Sequence, residues 1–420
     1  MIKIGIVGVG TVGKSVAQIL EANKEIIAAR AGKEIVVKKG VVRNLSKHKR
    51  ANIPLTTNVD EILDDSEINI VVELMGGVKE PYRVVQKALQ NKKAVVTANK
   101  ALLAYHRYEL QETAKEIPFE FEASVAGGIP IIKSLREGLS ANHIESIKGI
   151  INGTANYILT KMMNEGVDFA PVLKEAQELG YAEADPTFDI GGFDAAHKLL
   201  ILASIAYGID AKPEDILIEG IEQITQDDIS FAKEFGYTIK LLGITKKVGN
   251  SVELRVHPVL IPKSEMIAKV DGVMNGISVI GDKVGETMYY GPGAGGDATA
   301  SAVISDIIAI ARGGKASPML GFKRPLESGL KLLDKDEIVS KYYLRLEVAD
   351  KPGVLSSVSK MMSKQNISIE TMLQKPSKSD SATLLLATHS CKECAMQEAI
   401  SQLHKLESVK NRPVMIRMER

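Results

Sequence analysis

Near the N-terminus, Gly8-Val9-Gly10-Thr11-Val12-Gly13 lies between an apolar strand-like run, IKIGIV, and a helical pattern, KSVAQILEAN. A glycine triplet at this spacing says little alone. With a strand before it and a helix after it, it becomes a dinucleotide-binding fingerprint. Gly8 permits the tight turn, Gly10 lets the backbone approach a pyrophosphate, and Gly13 lets helix and strand pack closely. The N–H groups at the helix start, at Thr11 and Val12, then face phosphate oxygens. The competing reading is a glycine turn that merely joins strand to helix. The motif's place at the start of the first βαβ unit weighs against it.

Apolar runs recur beyond it, EIVVKKGVV, INIVVEL, KAVVTA and FEFEASV, alternating with helical patterns such as YRVVQKALQN. Such alternation predicts a parallel, doubly wound sheet over residues 1–130. A second block, 131–317, has longer helices and the strand-like runs IKGIIN and ELRVHPVLI. A linker over 318–341 follows, polar at LDKDEIVSK. Residues 342–420 then read strand, helix, strand, strand, helix, strand, a ferredoxin-like order. The expected fold class is α/β and α+β: a Rossmann-type domain, an α+β domain and a ferredoxin-like domain.

Composition excludes several roles. A net charge of +1 over 420 residues gives no basic excess for nucleic acid and no charged tail. The longest apolar stretch, Leu199 to Ala206, is too short to span a membrane. Two cysteines provide no disulfide framework, and MIKIGIVGVG lacks a signal-peptide cleavage region. A cytoplasmic protein is expected.

The second strand bears on cofactor type. It ends Val41-Val42-Arg43-Asn44, with Lys47, Lys49 and Arg50 beyond. NAD enzymes usually carry a carboxylate there for the ribose hydroxyls. Arg43 would instead grip a 2′-phosphate bidentately, which favours NADP, with NAD as the alternative. Lys47, Lys49 and Arg50 fit a basic solvent-facing loop equally well. Lys100 follows the strand KAVVTA, whose C-terminal end in such a sheet faces the ligand crevice. It could contact substrate or relay a proton, although a surface lysine is the plainer reading.

The segment Gly180 to Lys198, GYAEADPTFDIGGFDAAHK, crowds Glu183, Asp185, Asp189 and Asp194 beside Lys198. Asp194 and Lys198 are four residues apart and share a face of an apolar helix. That pattern suits binding of an amino group and movement of a proton. By itself it also fits a solvated loop with an ordinary ion pair.

Together these segments resemble the homoserine dehydrogenases, of the monofunctional bacterial kind with a C-terminal ACT domain. The resemblance covers nearly the whole chain. GYAEADPTFDIGGFDAAHK is its most specific element, supported by GVGTVG, TANK, EASVAGGIP, NGTANYIL and GPGAGG. It implies reversible NAD(P)H-dependent reduction of L-aspartate 4-semialdehyde to L-homoserine, a step towards threonine, isoleucine and methionine. Lys198 would give the proton to the carbonyl oxygen. Asp194 would orient the substrate, Glu183 would hold its amino group, and Asp189 and Thr154 would line the site. Lys100 would sit between cofactor and substrate. Thr97, Gly180, Glu183 and Gly295 would contact the cofactor. The second domain would carry catalysis and dimerisation, with 291–317 returning to complete the first.

The resemblance extends to a monovalent-cation loop, in which Glu122 and the carbonyls of Val125, Gly127 and Ile129 would bind sodium. Without it, the same loop reads as a structural turn. In the ACT-like block, Asp350, Gly353 and Val354 mark the first strand-to-helix turn, and Asn366 and Ile367 enter the second strand. ACT modules pair and bind a small amino acid, so L-threonine feedback and a homo-oligomer, dimer or tetramer, are implied. An ACT domain kept only for assembly is the alternative. Cys391 and Cys394 lack the further ligands that a closed zinc site needs and read as the start of the last helix. Two other functions remain open on sequence: a different NADP-dependent amino-acid oxidoreductase, and a non-catalytic sensor of NADP and amino acids.

Overall fold

Short runs of Val and Ile with no polar face can be satisfied only by burial on both sides, the usual state of a parallel strand. That is where such runs lie in the structure, a computed structural model that describes residues 1–48, 52–313, 318–324, 326, 329–376 and 380–419. Lys49 and Arg50 fall outside the described residues. The chain divides into two compact units. One is Met1–Gly153 with Ala196–Asp215 and Met274–Leu330; the other is Thr154–Ala195 with Ile216–Val273 and Lys331–Arg420.

In the first unit, β1 (Ile2–Val7), β2 (Ile35–Val41), β3 (Leu55–Thr56), β4 (Ile70–Glu73), β5 (Ala94–Thr97) and β6 (Phe119–Glu120) form a parallel sheet. Their order is β3-β2-β1-β4-β5-β6. The chain runs outward from β1 through β2, then returns and runs outward again from β4. The switch point therefore lies beyond the carboxyl ends of β1 and β4, where doubly wound sheets bind ligands. Ile4, Ile6, Ile70, Val72 and Val96 form the core with Val16 and Leu20 of helix Thr11–Ala22. Helix Gly296–Arg312 adds Val303, Ile304 and Ile307 to the same core. Each such side chain contributes about 1.5–3 kcal/mol on burial. The same unit carries an antiparallel sheet of Ile144–Ile150, Met274–Gly281 and Gly285–Pro292.

The second unit holds the hairpin Tyr237–Val248 and Ser251–Pro262, turned at Gly249, whose φ of 59° suits a two-residue loop. The ferredoxin-like order is present too. Val414–Met418, Val339–Ala349, Ser381–Thr388 and Ile369–Pro376 lie side by side, all antiparallel. Helices Val354–Lys364 and Glu393–His404 supply Val358, Met362, Met396, Ala399 and Leu403 to the core of that sheet. The last strand has a second partner. It pairs in parallel with Ser251–Pro262, placing Arg417 opposite Val259. Among the described residues, no helix is long and apolar enough to cross a membrane.

Candidate active site

At the switch point the glycines do separate jobs. Gly8 has φ 106°, and a Cβ there would lie 2.7 Å from the Leu74 carbonyl oxygen. A Cβ on Gly13 would fall 2.4 Å from the Gly8 oxygen, so helix and turn can meet only without one. Gly10, by contrast, would meet nothing within 4 Å. It is the N-cap of helix Thr11–Ala22, no side chain caps it, and the first turn carries no acid. Open space before uncapped N–H groups fits a pyrophosphate. Val12 is half-buried and Thr11 exposed. Gly295 has φ 120° and open space around it at the start of helix Gly296–Arg312. Gly296 sits close enough to Ser15 that a Cβ would lie 2.8 Å from its Oγ. Arg43 is exposed just beyond β2; Lys47 follows in the turn Leu45–His48.

The residues TANK are tied to β4 by a group that sequence reasoning missed. Glu73 ends β4, is 0% exposed, and among the described residues its hydrogen-bond partners are an N–H and a hydroxyl. Its Oε1 accepts the Met75 N–H at 2.6 Å, and its Oε2 accepts the Thr97 hydroxyl at 2.6 Å. Thr97 Oγ1 in turn accepts the Asn99 N–H at 3.0 Å. The Asn99 side chain caps the next helix by accepting the Leu102 N–H, and it donates to the Gly77 oxygen at 2.8 Å. Lys100 is the first residue of that helix. Thus Thr97 faces inward, and a buried carboxyl ties together the strand ends that precede the helix opened by Lys100. Burial pushes the Glu73 carboxyl up to about 7 against the pull of these hydrogen bonds. The signal was a Glu ending the run IVVE, both of whose faces are covered.

Glu122 starts the loop EASVAGGIP and is likewise buried. Its two carboxylate oxygens accept N–H groups from Ile132 and Lys133 at 2.8 and 2.9 Å. Burial and the neighbouring Asp306 carboxylate push it up to about 7. Asp306 accepts the Glu122 N–H at 2.8 Å and lies 2.8 Å from Lys133 Nζ. Ala126 and Gly127 take consecutive left-handed conformations, with φ of 56° and 50°, which reverses the chain between Val125 and Ile129. Glycine is required at 127, where a Cβ would lie 2.7 Å from the Gly293 oxygen.

In the second unit, Gly180 (φ 75°) ends helix Phe169–Glu178 and starts the acidic loop. The Thr154 hydroxyl donates to the Tyr181 oxygen at 2.6 Å and so anchors this loop. Glu183 is exposed, and its carbonyl accepts from Gln177. Asp185 serves the backbone: its Oδ1 accepts both the N–H and the hydroxyl of Thr187. Asp189 is half-buried in helix Thr187–Ile190, and Asp194 is buried in the first turn of helix Phe193–Tyr207. One turn further along the same helix, the half-buried Lys198 belongs to the first unit. Its Nζ donates to the Ile151 carbonyl at 2.8 Å, which holds the amine in place.

In the ACT-like region, a cavity of about 370 Å³ is lined by Asp350, Gly353, Val354 and Gln374 among others. Gly353 has φ 90° at the helix N-cap. Asn366, at φ 56°, is the left-handed residue that closes the helix, followed by Ile367, whose N–H reaches the Met362 oxygen. Neither is among the residues lining the cavity. Cys391 and Cys394 are free thiols, and burial pushes Cys391 up to about 11, which disfavours the reactive thiolate. No cluster of His, Cys, Asp and Glu side chains able to hold a metal occurs among the described residues.

The parallel sheet and its uncapped glycine turn mark the dinucleotide-binding part of a NAD(P)-dependent oxidoreductase. Sequence families make this specific. The homoserine dehydrogenase NAD-binding domain matches residues 8–122, the homoserine dehydrogenase domain residues 130–308 and the ACT domain residues 342–408. A homoserine dehydrogenase of Helicobacter pylori is 58% identical, covering 100% of this chain and 99% of that protein. The crystal structure of a homoserine dehydrogenase from Thiobacillus denitrificans superposes with a TM-score of 0.93 at 46% identity, over 100% of this chain and 98% of that one. A hyperthermophilic archaeal homoserine dehydrogenase in complex with NADPH covers 75% of this chain and 99% of its own, with TM-score 0.64 and 30% identity. The chain belongs to the homoserine dehydrogenase family, enzymes of amino-acid biosynthesis.

Proposed function

We propose that the chain reduces L-aspartate 4-semialdehyde with NADPH and that Lys198 protonates the carbonyl oxygen. The observation that carries this reading is the Lys198 amine, half-buried, held by the Ile151 carbonyl, and one helical turn from buried Asp194. When bound, the nicotinamide supplies the hydride. Lys198 gives a proton to the oxygen as negative charge builds there and is reprotonated from solvent. Glu183 offers its carboxylate to the substrate ammonium, Asp194 holds and orients the substrate, and Asp189 lines the site. Thr154 holds the loop that carries Glu183. Lys100 lies between cofactor and substrate.

On the cofactor side, the N–H groups at Gly10, Thr11 and Val12 take the pyrophosphate. Gly8 and Gly13 shape that turn, Gly180 and Gly295 approach the cofactor by their backbones, and Arg43 takes a 2′-phosphate. A monovalent cation, sodium, would be held by the carbonyls of Val125, Gly127 and Ile129 with Glu122, as hard cations prefer oxygen. Because backbone N–H groups already engage the Glu122 carboxylate, the cation would share it with the start of the next helix. L-Threonine in the cavity beside Asp350 and Gly353 is the proposed effector, in a homo-oligomer. Two free thiols fit a reducing cytoplasm.

The test is NADPH oxidation with L-aspartate 4-semialdehyde, with and without L-threonine, in wild type and Lys198→Ala. A proton donor predicts a kcat loss of roughly 10²- to 10⁴-fold with NADPH affinity unchanged. Equal losses in turnover and cofactor affinity would contradict the role.

A further inference from the structure

One arginine of the second unit is paired with carboxylates on two sides. Arg417, in strand Val414–Met418, is 0% exposed. Its guanidinium makes two bidentate pairs. Toward Glu393, Nε donates to Oε2 at 2.9 Å and Nη2 to Oε1 at 2.5 Å. Toward Glu219, Nη1 donates to Oε2 at 2.7 Å and Nη2 to Oε1 at 2.9 Å. Glu393 opens helix Glu393–His404 of the ACT-like region and also accepts the Tyr342 hydroxyl at 2.8 Å. The paired hydrogen bonds on both sides hold the two carboxylates to one buried guanidinium.

Glu219 in turn supports the acidic loop. Its N–H donates to the Val256 oxygen at 2.8 Å. A Cβ on Gly220, the next residue, would stand 2.8 Å from the Ile190 oxygen and 3.0 Å from the Gly191 α-carbon. The Ile221 N–H donates to the Ile190 oxygen at 3.0 Å. Gly192, at φ 87°, approaches the Glu219 oxygen so closely that a Cβ would lie 3.4 Å from it. Residues 190–192 form the turn that separates Asp189 from Asp194. The stretch 219–221 therefore backs that turn directly, and Arg417 holds the stretch in place.

We propose that Arg417 is a positioning residue for substrate: by clamping Glu219 it sets the turn between Asp189 and Asp194, and through Glu393 it couples the ACT-like region to substrate affinity. The inference rests on the reading that Asp194 orients the substrate and Asp189 lines its site. It identifies a discrete contact through which a change at the ACT-like sheet would reach that site. Removing residues 341–420 is not a suitable test, since it would also strip a strand from Ser251–Pro262.

The experiment is steady-state kinetics on the full-length chain, varying aldehyde and NADPH separately. Glu219→Gln and Arg417→Lys should each raise KM for the aldehyde, Glu219→Gln by roughly 5- to 20-fold and Arg417→Lys by less. Turnover and the KM for NADPH should stay within about twofold. Glu393→Gln should shift the aldehyde KM in the same direction. Arg417→Met strands two carboxylates and is reserved for stability work; Glu219→Gln leaves Arg417 paired with Glu393 and keeps the test open. An unchanged aldehyde KM in Glu219→Gln would overturn the positioning role. A shift in Glu219→Gln with none in Glu393→Gln would overturn the coupling to the ACT-like region. Asp194→Asn, measured alongside, separates the two levels. If it leaves the aldehyde KM unchanged, the substrate reading itself fails; if it raises that KM while Glu219→Gln does not, only the clamp fails.

Discussion

Glu73 and Glu393 are both buried glutamates, 0% and 2% exposed, yet their surroundings drive their carboxyls in opposite directions. Glu73, at the end of β4, meets a hydroxyl and an N–H. Desolvation wins there, and the group rises to about 7. Around Glu393 desolvation also opposes the charge, but the Arg417 pair outweighs it and the carboxyl falls below its ordinary value. The nucleotide-binding unit thus keeps a carboxyl near neutrality where strand ends face the ligand crevice. Arg417 of the last strand keeps the Glu393 carboxyl, at the start of helix Glu393–His404, below its ordinary range. Burial alone does not set ionisation; the partner does. A near-neutral buried carboxyl is a pattern associated with functional sites, and Glu122, in the turn just beyond β6, shows it too.

The largest effect should come from breaking the clamped region. Arg417→Met leaves Glu393 buried without a cation and should lower unfolding free energy by about 3–5 kcal/mol. Denaturant midpoints would show it, and a loss below about 1 kcal/mol would mean that Glu393 does not depend on Arg417. Glu73 should respond through pH. Its folded value, about 7, lies above the ordinary 4.5, so the proton stabilises the fold. That stability is complete below pH 4.5 and is lost as pH rises through about 7, by up to roughly 3 kcal/mol. Glu73→Gln cannot titrate. The gap between wild type and variant should therefore move against wild type over that window, and parallel stability curves would refute the assignment. A smaller effect is expected for Glu122→Gln. An amide can accept only one of the two N–H groups and turns its NH₂ toward the other, a loss of about 1–3 kcal/mol read by thermal unfolding.

Much of the fold could be read from residues that act locally. Gly8, Gly10 and Gly13 work within one turn, and the ferredoxin-like order follows from alternating strand and helix patterns. The acidic segment could be read because its carboxylates and Lys198 are neighbours in sequence. Glu73 and Arg417 were missed because their partners are not: Thr97 is 24 residues away and Glu219 is 198. Strand RPVMIRME looks like an ordinary edge strand in sequence. Only its pairing with Ser251–Pro262 turns Arg417 inward. Asn366 shows a different limit. Its left-handed φ of 56° at the end of a helix is a conformation that its place before a strand in sequence does not reveal.

The smallest stability effect belongs to a charge that is exposed. Arg43 lies just past β2 in solvent, so Arg43→Asp should change unfolding free energy by no more than about 0.5 kcal/mol. That quietness makes it informative, because any change in cofactor preference then reports ligand contact and not damage to the sheet. If Arg43 grips a 2′-phosphate, the aspartate both removes a charge-assisted fork and places a negative charge against the phosphate. The ratio of kcat/KM for NADPH over NADH should fall at least about tenfold, equivalent to about 1.4 kcal/mol. A fall in both specificity constants together would place Arg43 on the pyrophosphate or the fold. An unchanged ratio would take it out of the cofactor site and leave the choice between NADP and NAD to groups nearer the switch point.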